Sequence, residues 1–276
     1  MAILLSLLAA LSYGLADFCG GLASKRGSAW GVALVASATG ATLVLAMSLF
    51  LGGDPTTADL WWGAAAGIGN GFGTAFLYRG LAGGRMGVVA PVSGVGAAVI
   101  PVVAGVLLGE RPAVLVWVGI LLAVPAIWLV ARDPAESGAS SPGGAVDGAL
   151  AGLGFGFLFV ALAQVSEGSG LLPLAVNQVV AGAVIVLVAV VLRQPWRPHP
   201  SAALGGTLAG VLGALATVCF LFATREGYLS IASVVTSLYP AFTVVLAASV
   251  LREHVHRAQA AGLLMCAVAV SLVAAG

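Results

Sequence analysis

The stretch "GRMGVVAPVSGVGAAVIPVVAGVLLGERP", Gly84–Pro112, holds no charged residue between Met86 and Leu108. That is the length of apolar chain a helix needs to cross a hydrocarbon core of roughly 30 Å. The same stretch carries Pro91 and Pro101, each of which deletes a backbone donor, together with Gly87, Gly94, Gly96 and Gly105. Weakened backbone is tolerated at membrane depth only where it is buried in protein or lines a cavity. The stretch therefore predicts a membrane-spanning helix that bends or moves at Pro91, Gly94, Gly96 and Pro101.

The whole chain agrees with a bilayer setting. Its 276 residues are 61% hydrophobic and 8% charged, with a mean hydropathy of +1.12. A soluble domain is nearer a quarter charged. A net charge of +1 gives no basic stripe for phosphates, so nucleic acid is excluded as a partner. Cys19, Cys219 and Cys266 lie in apolar runs and read as packing residues without disulfide or metal spacing. The N-terminal run has no Lys or Arg before Lys25, so it reads as a retained first span and not as a cleaved leader.

Charges, prolines and turn residues divide the chain into ten apolar runs: 2–24, 29–52, 60–81, 86–108, 113–131, 147–166, 170–192, 202–224, 228–251 and 257–275. Short connections such as "GERP" join most of them. The exception, residues 132–146, is rich in Gly, Ser and Pro and reads as a solvated linker between units 1–131 and 147–276. A shift of 143 residues lays Gly63 on Gly206, Gly67 on Gly210, Thr74 on Thr217, Glu110 on Glu253 and Gly119 on Gly262. Five crossings is an odd number, so the second unit enters the membrane in the opposite sense. The expected fold is an all-α integral membrane protein of ten transmembrane helices arranged as a 5+5 inverted repeat. The second copy of the opening stretch, 226–254, is loosened by Ser, Thr and Pro240. Spans four and nine are thus the candidate gating helices, although Pro91 falls on Val234 and Pro240 on Ala97. Glycines four apart, such as Gly63, Gly67 and Gly71, predict seams of close helix contact.

With ten spans, a 5+5 repeat and a Gly-Glu turn after span four, the chain resembles the drug/metabolite transporter superfamily, EamA-type. The resemblance rests on "LAGGRMGVVAPVSGVGAAVIPVVAGVLLGERP" and its copy "REGYLSIASVVTSLYPAFTVVLAASVLREH", the latter departing from Gly-Glu at Arg252-Glu253. It implies a carrier whose cavity is lined mainly by spans one, three, four, six, eight and nine, with spans five and ten at the back. The related small multidrug resistance proteins also place an acid in their first span.

Asp17 is such an acid, well inside span one. At the centre of a span an aspartate costs about 2.5–3.5 kcal/mol to insert, so it faces a cavity or a partner. There it is a candidate proton carrier or counter-charge for a cation; a structural role near the interface is the alternative. Tyr13, Asn70, Ser93, Gln164, Thr217, Thr236 and Tyr239 are the other candidate cavity residues, with Asn177 and Gln178 also polar at mid-span. Pro91, Gly94, Gly96, Pro101 and Pro240 are the candidate gating positions. Neutral hydrogen-bonding groups with few charges suit a small amphipathic or zwitterionic solute better than a polyanion. Arg79, Arg85, Glu110, Arg111, Arg225, Glu226, Arg252 and Glu253 sit at span ends and read as interfacial anchors and local ion pairs. His254 and His256 read as exposed loop residues. No nucleophile–base pair, metal set or cofactor motif is found, so neither enzyme nor cofactor is expected.

The expected activity is secondary transport of small organic solutes by a monomer in a bacterial plasma membrane, with protons as a candidate coupling ion. An uncoupled facilitator or channel, or a non-transporting scaffold, remains the alternative. Nine of the eleven Lys and Arg flank the loops after odd-numbered spans, which by the positive-inside rule puts those loops in the cytoplasm and both termini outside, whereas the resemblance implies cytoplasmic termini, and the sequence leaves the side open.

Overall fold

The computed structural model describes residues 1–83, 86–130, 142–250 and 256–276. Arg85, Arg252, Glu253, His254 and most of the expected linker lie outside the described residues. The described chain is helical throughout, without strands. Its helices are α1 (Ala2–Arg26), α2 (Ala29–Leu51), α3 (Thr57–Ala82), α4 (Met86–Leu107), α5 (Val114–Val130), α6 (Pro142–Leu162), α7 (Leu172–Val191), α8 (Pro200–Arg225), α9 (Leu229–Thr236), α10 (Tyr239–Val250) and α11 (Arg257–Ala275). A short 3-10 turn, Glu167–Ser169, precedes α7.

Helices α1, α2, α7, α8 and α11 are long and apolar enough to cross a bilayer. Shorter apolar stretches lie in α4, α5 and α6 and across α9 and α10. Helix α3 falls short in hydropathy because glycines and Asn70 dilute it. It can do so because neighbouring helices, and not lipid, cover it: Gly63, Gly67 and Gly71 face α7, while Gly69 and Gly73 face α6. Large apolar side chains elsewhere point outward, among them Leu49, Phe50, Leu107, Val114, Leu121 and Leu204. This is a surface built for lipid, with Trp61 and Trp62 exposed at the first turns of α3, where interfacial tryptophans belong.

Two departures from the expected spans have local causes. Span nine is two helices, α9 and α10, parted at Ser237 and Leu238. Pro240 has no N–H to return to Thr236, and the chain substitutes tight turns, Leu238 N–H to Val235 O at 3.2 Å and Ala241 N–H to Leu238 O at 2.9 Å. Span four, in contrast, is one continuous helix despite Pro91 and Pro101. Its glycines serve close approach: a Cβ on Gly94 would sit 2.8 Å from Ile127, and one on Gly96 2.8 Å from Gly152. Helix α6 also starts earlier than expected. Pro142 opens it, since a fixed φ and a missing N–H suit the first helical position. Residues 142–146 are therefore helical.

Packing is reciprocal. Helix α1 lies on α8 and α3 on α6; α4 lies on α6, and α9 and α10 on α1; α3 lies on α7 and α2 on α8; α5 pairs with α11 and α2 with α7. The ends of α2, α4, α6 and α8 gather on one face with both termini, the terminal face. There Ala2 meets Gly227, and Gly53 meets Gly170.

Asp59, 2% exposed in the first turn of α3 and outside the apolar run 60–81, ties this face together. It accepts from Thr56 Oγ1 at 2.6 Å, Ser166 N at 2.7 Å, Thr56 N at 2.8 Å and Ser166 Oγ at 3.0 Å. Arg225 donates to Ser166 O at 2.8 Å and to Ser169 Oγ at 3.1 Å. Hydrogen bonds from the Thr56 side chain, then from the Ser166 backbone, hold the Asp59 carboxyl down at about 2, against an ordinary 3.8. A depressed carboxyl stabilises the fold fully above the unfolded-state value and loses that contribution as pH falls through the folded one. The melting temperature of Asp59→Asn is therefore expected to lie below that of the parent at pH 6, with the gap closing between about pH 4 and pH 2. A gap unchanged at pH 2 contradicts this.

The opposite face carries the Arg79–Asp147 ion pair, with Arg79 Nε 3.0 Å from Asp147 Oδ1 and its guanidinium over Phe76. This is the local pairing expected of Arg79. Glu110 behaves otherwise. Its carboxylate accepts backbone N–H groups of Leu229 and Ser230, while Arg111 donates to the carbonyls of Val106 and Glu110. His256 opens α11 in a capping box with Gln259.

Candidate functional site

Small residues on α8 leave a void at the middle of the bundle. Ala209, Gly210, Gly213 and Ala214 form one wall of a cavity of about 60 Å³. The rest comes from Tyr13, Ala16 and Asp17 of α1, Ala36 and Ser37 of α2, Asn70, Thr74, Leu77 and Tyr78 of α3, Phe155 of α6, Gln178 of α7, and Thr217 of α8. Asp17 is the sole acidic or basic side chain among them. It makes no hydrogen bond or ion pair among the described residues.

The neutral polar groups are organised by their neighbours. Asn70 Nδ2 donates to Asn177 Oδ1 at 3.1 Å and to Gln178 Oε1 at 3.4 Å, and Thr74 Oγ1 donates to Asn70 Oδ1 at 3.3 Å. Ser37 Oγ donates to the Gln178 backbone carbonyl at 2.6 Å, and Gly40 leaves room for the Gln178 amide. Thr217 Oγ1 donates to Gly213 O at 2.7 Å. Its one proton is thereby committed, so in the 3.1 Å contact with Tyr13 the phenol is the donor.

Above the cavity, toward the terminal face, lies an aromatic layer. Tyr13 stands 6.2 Å from Phe159 and 6.4 Å from Tyr239 between ring centroids, and Phe159 stacks on Phe220 at 4.2 Å. Phe159 and Phe220 are fully buried. Tyr239 OH and Ser93 Oγ, 2.5 Å apart, join α10 to α4 beside this layer.

Of the residues expected from the sequence, Asp17, Tyr13, Asn70 and Thr217 meet at the cavity. Ser93 and Tyr239 form a pair beside Tyr13, outside the cavity lining. Thr236 donates to Ser6 O at 3.4 Å, and Gln164 donates to Val160 O at 3.4 Å near the end of α6. Neither lines the cavity. Nor do α4, α9 and α10; α2 and α7 take the place the resemblance gave to spans four and nine. Ser37, Thr74, Tyr78, Phe155 and Gln178 were not among the candidate residues. Thr74 was detectable as the repeat partner of Thr217, and Gln178 as a mid-span amide.

Chain comparisons agree with this architecture. No curated protein sequence matches significantly. A solved structure described as "Crystal structure of protein" superposes with a TM-score of 0.74 at 17% identity, covering 98% of this chain and 95% of that one, which is a likeness of fold. The model of the EamA-like transporter family matches residues 1–132 and 143–275. An all-helical chain with a lipid-facing apolar surface, matched across nearly its full length, belongs to the EamA-like transporter family of the drug/metabolite transporter superfamily and is a multi-pass membrane protein.

Proposed function

We propose that the chain is a secondary carrier for small organic solutes bearing a cationic or zwitterionic amine, and that Asp17 binds the amine in exchange for a proton. The observation that carries this reading is the Asp17 carboxyl, unpaired among the described residues, in a cavity otherwise lined by neutral amides, hydroxyls, aromatic rings and small apolar side chains. An anionic solute would meet no opposite charge there. A cation meets one carboxylate and the rings of Tyr13, Tyr78 and Phe155, the surroundings that stabilise an ammonium away from water.

Alternating access between two inverted five-span units, 1–131 and 147–276 with 132–146 joining them, is the mechanism we assign. Its support is the reciprocal packing: exchanging each helix for its partner in the 143-residue shift turns α1 on α8 into α6 on α3, and α3 on α7 into α8 on α2. A family match in two segments, 1–132 and 143–275, supports a reading as two units. A cavity of about 60 Å³ accommodates a few waters, whereas a drug-sized ligand needs about 300 Å³ or more. Loading therefore requires opening, and the aromatic layer is the barrier on the terminal face. The carrier is assigned to a bacterial plasma membrane and to a monomer.

Thermal-shift screening of amine metabolites and drugs tests the cavity, since a ligand at a hundred times its Kd raises stability by about 2.7 kcal/mol. Gly213 supplies the control. A Cβ there meets nothing within 4 Å and points into free space along the cavity wall. Gly213→Ala is expected to raise intrinsic stability by up to about 1 kcal/mol through helix propensity, while Gly213→Phe abolishes the ligand-induced shift. A shift preserved in Gly213→Phe places the ligand elsewhere.

A further inference from the structure

Helix α9 has eight residues and no side-chain cap of its own, since its N-cap, Tyr228, supplies none. The cap comes instead from the α4–α5 turn, where Glu110 Oε1 accepts the Leu229 N–H at 2.5 Å and Oε2 accepts the Ser230 N–H at 3.1 Å. The turn is built for this. Gly109 adopts a φ of +100°, which a side chain would oppose, and Glu110 N–H returns to Gly105 O at 2.9 Å. Gly105 in turn leaves the space the carboxylate occupies, because a Cβ there would run into it.

The rest of α9 is weakly tethered in polar terms. Ser230 Oγ and Ser237 Oγ are buried without a hydrogen-bond partner among the described residues, and the Thr236 contact to Ser6 O is long, at 3.4 Å. At its other end α9 is freed from α10 by the break at Ser237 and Leu238. The helix is a short rigid piece hinged at one end and held by a carboxylate at the other.

We propose that Glu110 is a latch for α9: its carboxylate holds the half-helix in the conformation closed toward the terminal face, and opening that face releases it. Glu110 is thus a positioning residue for transport, acting through α9 and never touching the solute. The proposal rests on the carrier reading in assigning α9 a movement, but its test needs no substrate.

The test places a single cysteine at Ser6, which is 0% exposed and lies beneath α9 on the terminal-face half of α1, in a chain with Cys19, Cys219 and Cys266 replaced by alanine. The probe is a membrane-impermeant methanethiosulfonate. Glu110→Ala is expected to raise the labelling rate about tenfold or more, since it removes both hydrogen bonds and even one hydrogen bond to a charged group supports that change. Glu110→Gln, with one acceptor left, falls between. Gly105→Ala should mimic the loss by pushing the carboxylate aside while keeping its charge, and it serves even where Glu110→Ala does not fold. A cysteine at Ser24, buried on the opposite half of α1, should label no faster in any variant. Unchanged labelling at Ser6 in Glu110→Gln and Gly105→Ala overturns the latch. So does an equal rise at Ser6 and Ser24, which marks general loosening. A chain that labels as expected yet moves no solute in proteoliposomes retains the latch and refutes the carrier.

Discussion

Asp17→Asn is expected to abolish proton-coupled transport while leaving a folded protein that melts at the same temperature as the parent or higher. The carboxyl has no partner among the described residues, so replacing it by a carboxamide breaks no contact. An aspartate at mid-span costs about 2.5–3.5 kcal/mol to insert, and the neutral amide removes part of that cost. The loss falls on function. A hydrogen bond to a charged group is worth about 1.5–3 kcal/mol, so affinity for an amine should drop roughly ten- to hundredfold. The amide also cannot exchange a proton, so the pH dependence of transport should vanish. Transport with the parent's pH profile would assign the carboxyl a structural role and move coupling elsewhere.

The second large effect concerns assembly. A Cβ on Gly67 would lie 2.5 Å from the Asn177 carbonyl and 2.7 Å from Val180 Cβ, and one on Gly71 2.5 Å from the Ala181 carbonyl. The two carbonyls are backbone of α7 and the Val180 Cβ is fixed to that backbone, so none can swing aside as a side-chain tip can. Gly67→Ala should cost about 1–3 kcal/mol by overpacking. Gly67→Leu should separate α3 from α7, pull Asn70 from Asn177 and Gln178, and yield aggregated protein on size-exclusion chromatography. Gly168→Ala, where a Cβ meets nothing within 4 Å, is the matched silent change. A Gly67→Leu protein that runs monodisperse with the parent's melting temperature contradicts the seam.

Much of this was legible in the sequence because membrane helices announce themselves locally. Apolar runs found the helices, and the four-residue glycine spacing found the α3–α7 seam. Asp17 stood out because a carboxyl is conspicuous in an apolar run. Properties that depend on distant partners were hidden. Glu110 reads as an interfacial anchor until α9 is seen beside it, from 119 positions further along the chain. Proline was ambiguous too: the chain breaks between α9 and α10 just before Pro240, while α4 continues through Pro91 and Pro101. The replacement of spans four and nine by α2 and α7 around the cavity follows from the void that glycine and alanine leave on α8; Gln178 of α7 shows in the sequence as a mid-span amide, but nothing local says which neighbour it faces.

The central claim is that solute binds at Asp17 and is carried by alternating access. Counterflow in proteoliposomes tests it most directly, using the amine that gives the largest thermal shift. Vesicles loaded with unlabelled amine should accumulate external labelled amine transiently above equilibrium, because a carrier returning with one solute exchanges it for another. With the amine near the parent's Kd, Asp17→Asn vesicles should show none, because a site ten- to hundredfold weaker stays largely empty. Accumulation in the parent, absent in the variant, is the predicted result; uptake that never exceeds equilibrium, or that is equal in both, contradicts the account.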